Sequence, residues 1–70
     1  MIELDVRGLN CPEPVIMLKN LIDNGEKNIK VITSYGASAS NIERLIKNSK
    51  YKIIAKVENE NDIIFKIQNG

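Results

Sequence analysis

The stretch RGLNCPEPVIML, Arg7 to Leu18, holds the only cysteine of a chain that has no histidine. A lone thiol excludes an internal disulfide, and without imidazole it excludes a Cys-His catalytic pair and makes a zinc site of the usual nitrogen and sulfur ligands implausible. No metal or cofactor is expected. Whatever Cys11 does by thiol chemistry, it lacks an internal resolving cysteine or imidazole base, so a second molecule must complete the reaction. That requirement points to a carrier more than to a self-sufficient enzyme.

The residues around the thiol set its chemistry. Pro12 fits the first position of a helix, where its missing N–H would have no partner anyway, which places Cys11 at or next to the N-cap. Free amides and the positive end of the helix dipole favour a thiolate there, and a persulfide anion by the same field. Pro14 removes a further donor from the first turn and Glu13 adds an opposing negative charge, so the expected depression of the thiol pKa is modest. Arg7 is the nearest candidate counter-charge, and Gly8 permits the turn between them. The competing reading is a buried cysteine acting as a small hydrophobe beside an ordinary helix start.

The elements that must position this segment follow from periodicity. IELDV alternates apolar Ile2, Leu4 and Val6 with acidic residues, the pattern of a strand with one buried face. From Pro12 the spacing becomes helical through Val15, Leu18, Leu21 and Ile22, and Asn24-Gly25 supplies a stop. NIKVITS reads as a second strand with Ile29, Val31 and Thr33 inward, and a helix between two strands predicts a parallel crossover. SNIERLIKNS places Ser40 and Glu43 at capping-box spacing before the stripe of Ile42, Leu45 and Ile46. Tyr51, Ile53, Ala55 and Val57 alternate inward in a third strand; Ile63, Phe65 and Ile67 do so in a fourth, after a polar turn. The order β-α-β-α-β-β predicts an α/β (α+β) two-layer sandwich, a four-stranded mixed sheet with two helices on one face, spanning residues 1–70 as one domain.

Composition narrows the function classes. Hydrophobic residues at 43% and charged residues at 27% describe a folded chain rather than a disordered one. Ten basic against nine acidic residues leave a net charge of +1, with no bulk attraction to nucleic acid or anionic membrane, and only three aromatic residues are present for stacking on bases. Glu3, Asp5 and Arg7 interrupt the N-terminus where a signal peptide would be apolar, so the expected location is the cytoplasm.

The run LDVRGLNCPEPVIMLKNLI, Leu4 to Ile22, resembles the TusA/SirA-like family of small sulfur-carrier proteins, whose signature is a Cys-Pro-x-Pro motif after a glycine turn. The string D-x-R-G-L-x-C-P-x-P, with a strand before it and a helix at it, carries the resemblance. It implies the β-α-β-α-β-β fold and a persulfide on Cys11. Sulfane sulfur would come from a cysteine desulfurase or similar donor and pass to an acceptor sulfur-relay protein, as in tRNA thiolation. ASASNIERLIKNSKYKIIAKV resembles the N-terminal domain of YedF-type proteins linked to selenium metabolism, relatives that often carry a second domain.

Two surfaces are candidates for docking. Ile16, one turn beyond Pro12, and Met17 beside it would form an apolar rim near the thiol. On the sheet face away from the helices, Ile32, Ile54 and Ile64 are expected among Lys30, Lys52, Lys56 and Lys66, a surface suited to a second subunit or a further domain. The alternative function is a non-catalytic interaction or regulatory module using that face. A redox sensor oxidised at Cys11 is a third reading.

Overall fold

In the computed structural model residues 1–10 and 12–70 are described. The alternation of the first residues forms β1 (Ile2–Asp5), and helical spacing takes over in α1 (Glu13–Asp23). β2 (Asn28–Ser34) and α2 (Ala37–Lys47) repeat that sequence, and β3 (Tyr51–Glu58) and β4 (Asp62–Asn69) close the chain as a hairpin. The sheet order is β1-β2-β4-β3, with β1 parallel to β2 and both other pairings antiparallel. The mixed four-stranded sheet and two helices agree with the expected two-layer α+β sandwich.

One layer of aliphatic side chains joins the sheet to the helices. Val6, just after β1, and Ile29, Val31, Phe65 and Ile67 from the strands meet Leu18 of α1 and Ile42 and Ile46 of α2, all fully buried. The expected inward positions of β2 and β4 are those observed. Tyr51 closes the layer at its far end, where its hydroxyl donates to the Glu26 carbonyl and burial pushes the phenol pKa up.

The helix starts differ from the expectation. Pro12 is the N-cap of α1 rather than its first residue, because its carbonyl accepts the Ile16 N–H at 3.0 Å while Glu13 is still tied to the preceding turn. α2 begins at Ala37, not after Ser40. Gly36, at φ +106°, turns the chain as the N-cap, so Ser40 lies one turn inside the helix and makes no capping box with Glu43. The Glu43 carboxylate instead accepts Lys47 and Lys56, both at 3.1 Å, which hold its pKa below the usual range.

The largest difference is in β3. Ile53 lies opposite Ile67 and Ala55 opposite Lys66, so Ile54 is an extra residue and forms a β-bulge. Because side chains alternate with period two, one inserted residue exchanges the faces of all that follow. Val57, expected in the core, pairs with Ile64 and is 45% exposed on the open face. Lys56, expected on the open face, pairs with Phe65 and reaches Glu43 of α2, its ammonium 5.8 Å from the Phe65 ring centroid.

Matched substitutions check this inversion. Val31→Thr, which buries a hydroxyl in the aliphatic layer, is expected to lower stability by about 1–3 kcal/mol. Val57→Thr is expected to change it by less than about 0.5 kcal/mol. Urea denaturation of the two variants measures the contrast.

Candidate functional site

The candidate site is the connection from β1 to α1. Val6 extends the β1–β2 ladder by donating to the Ile32 carbonyl at 2.8 Å, after which the chain leaves the sheet. Gly8 adopts φ +79°, as the expected turn requires, and its N–H donates to the Ser34 hydroxyl at 3.0 Å. Leu9 folds back to donate to the Val6 carbonyl at 3.3 Å and packs against the core. Asn10 accepts the Glu13 N–H at 3.0 Å. Cys11, the candidate nucleophile, lies outside the described residues; its neighbours on both sides are anchored.

Around it, Pro12 and Glu13 are exposed and Pro14 is buried. Pro14 therefore does more than remove a donor: its ring fixes the first turn of α1 against the body of the protein. Ile16 and Met17, expected as an apolar rim, are 52% and 37% exposed.

Arg7 is differently occupied than expected. Its Nε and Nη2 donate to the two carboxylate oxygens of Asp5 at 3.0 and 2.7 Å, its backbone N–H also donates to Asp5, and Nη1 reaches Asp62 at 3.4 Å. Two carboxylates thus engage the guanidinium expected as a counter-charge for Cys11. The paired fork holds the Asp5 carboxyl down at about 2. Asp5 lies opposite Ile32 in the sheet and Asp62 opposite Ser34, so the Arg7 side chain crosses the open face over β2. Ile32, expected as an exposed docking residue, lies between these two positions and is only 8% exposed.

The same end of the molecule gathers the loop after β2 and the β3–β4 turn. Tyr35, 61% exposed, donates its N–H to the Asn61 carbonyl at 3.1 Å, and Asn59 holds Asp62 through its side-chain amide at 2.7 Å. A recess of about 160 Å³ lies here between Tyr35, Gly36, Glu43 and Lys56. A roomier one, about 650 Å³, lies at the opposite end, between Asp23, Asn48 and Tyr51, remote from the thiol segment. Of the remaining sheet candidates, Lys30, Lys52, Ile54, Ile64 and Lys66 fall on the open face, away from both recesses.

Reading residue types alone missed three supports of the segment: Asp5, Ser34 and Asp62. Asp5 had a local signal, since it precedes Arg7 by two positions in the motif. Ser34 and Asp62 had none, being 26 and 55 residues from the groups they hold.

The family model described as Sulfurtransferase TusA matches residues 2–69. No curated protein and no solved structure gives a significant match.

The Arg7–Asp5 pair has a pH signature. The Asp5 pKa is lowered from the ordinary 3.8 to about 2, so the pair's stabilisation is complete above the unfolded value and is lost as pH falls through that window. Carboxyl NMR of the wild type should show Asp5 titrating near 2, and in Arg7→Gln it should return towards 3.8. In Asp5→Asn, the part of the acid destabilisation between those values that belongs to this carboxyl should be absent from urea midpoints.

Proposed function

The chain belongs to the sulfurtransferase TusA family, whose members act as sulfur carriers with sulfur-relay partner proteins, and from that premise we propose that Cys11 is the sulfur-bearing group. The single observation that carries this reading is that a family match running from residue 2 to residue 69 contains one thiol, within a Cys-Pro-x-Pro string. The thiolate of Cys11 attacks the terminal sulfur of a persulfide on a donor such as a cysteine desulfurase. The donor's sulfur–sulfur bond breaks, its cysteine leaves as thiolate, and Cys11 holds the persulfide. An acceptor thiolate then attacks that terminal sulfur, and Cys11 leaves as thiolate in turn. With no second cysteine in the chain, an internal thiol cannot expel the sulfur as a disulfide forms.

The residues around Cys11 act in this reading as supports. Gly8 supplies the turn, Pro12 and Pro14 set the helix start, and Arg7 fastens the loop through Asp5 and Asp62. Glu13 stays at the exposed edge of the first turn. Ile16 and Met17 form the rim on which donor and acceptor rest briefly. Residues 1–70 act as one TusA-like domain in the reducing cytoplasm, where a lone thiol stays free. Relay into tRNA thiolation or a related pathway is the corresponding process. The likeness of the second half to YedF-type proteins makes selenium the alternative cargo.

Intact-mass measurement after incubation with a cysteine desulfurase and cysteine tests the proposal. The expected result is a gain of one sulfur atom, reversed by dithiothreitol and absent in Cys11→Ser. No gain with several competent donors would overturn it, and a selenium donor in the same assay reads the alternative cargo. Ile16→Asp is expected to slow loading several-fold while shifting stability by less than about 0.5 kcal/mol, because the side chain is exposed.

A further inference from the structure

The open face of the sheet carries an arrangement that neither the aliphatic layer nor the thiol segment uses. Lys30 of β2 and Lys66 of β4 are directly opposed across neighbouring strands. Like charges in that relation destabilise a sheet. Lys30 has Glu3 at 3.8 Å, whereas Lys66 has no carboxylate partner among the described residues. Beside this pair the bulge pushes Ile54 outward and turns Val57 onto the same face, 56% and 45% exposed, next to Ile64. A one-residue register change has therefore removed a valine from the core and added it to an aliphatic patch edged by Lys52 and Lys66, neither of which has a carboxylate partner among the described residues.

We propose that this face docks a protein partner that presents carboxylates around an aliphatic patch. Charge complementarity selects that occupant. A second copy, packed face to face about a twofold axis through this lysine pair, would bring Lys30 and Lys66 against their own counterparts. Single-stranded nucleic acid would find no stacking platform, since Phe65 and Tyr51 are buried and Tyr35 lies beyond the end of β2. A flat anionic bilayer would also be pressed against the rim, where Glu3, Asp5 and Asp62 are already paired with Lys30 and Arg7, leaving only Lys52 and Lys66 to attract it. A protein surface can place neutral groups opposite those three and carboxylates opposite the lysines.

The inference is independent of sulfur loading, and its test keeps the two apart. Isotope-labelled protein is titrated with an acidic amphipathic peptide of glutamate and leucine, with its lysine–leucine counterpart, with oligouridine, and with phosphatidylglycerol vesicles. The expected result is saturable binding of the acidic peptide alone, with amide shifts centred on Lys30, Ile54, Val57, Ile64 and Lys66. Lys30→Glu with Lys66→Glu, and separately Val57→Asp, should weaken it about tenfold. Lys19→Glu on α1 and Cys11→Ser should leave it unchanged, and circular dichroism confirms that each variant is folded. The proposal is overturned if the acidic peptide does not bind, if its shifts map elsewhere, or if the face variants bind as well as wild type. Tighter binding of oligouridine or vesicles, or self-association abolished by Val57→Asp, would equally overturn it by assigning the face to another occupant.

Discussion

The chain has enough apolar side chains to fill one layer, and the architecture follows from that limit. Parallel neighbours cannot be joined by a tight turn, so β1 and β2 require a helix that crosses back over the sheet. Leu18, Ile42 and Ile46 bring both helices to the same face, where they meet Ile29, Val31, Phe65 and Ile67. Neither helix covers the other face. The two helices also start at the same end of the sheet, where β1 and β2 finish, and the chain's only thiol belongs to the first of those connections.

That connection is held from several directions at once. Ser34 holds Gly8, the core holds Leu9, and Arg7 ties the segment to β1 and to the distant hairpin through two carboxylates. Such exposed ion pairs contribute little to global stability, but a fork gripped by two carboxylates restricts where a short loop can go. It also matches the charge of Arg7 locally.

The bulge in β3 links packing to surface. Before it, Tyr51 and Ile53 face the helices; after it, Lys56 takes the inward place and grips Glu43 of α2. The strand therefore contributes its apolar half to the core and its second half to a salt-bridged rim. Val57, displaced by the bulge, joins Ile54 and Ile64 in giving the uncovered face its aliphatic character.

Much of this molecule was legible in local pattern. Alternation located β2 at Asn28–Ser34, helical spacing located α1, and the glycine turn before the Cys-Pro-x-Pro string identified the family later matched over residues 2–69. The misreadings came where local pattern continues through a change in geometry. Tyr51, Ile53, Ala55 and Val57 alternate without a break, so periodicity contains no mark of the extra residue at Ile54; the register against β4 introduces it. Ser40 and Glu43 have capping spacing, yet Gly36 can reverse the chain earlier because a positive φ costs it nothing. The second carboxylate on Arg7, that of Asp62, is brought beside β2 by the order β1-β2-β4-β3. Periodicity reports which side a residue faces relative to its neighbours in the chain; which groups meet across strands is a property of the assembled sheet.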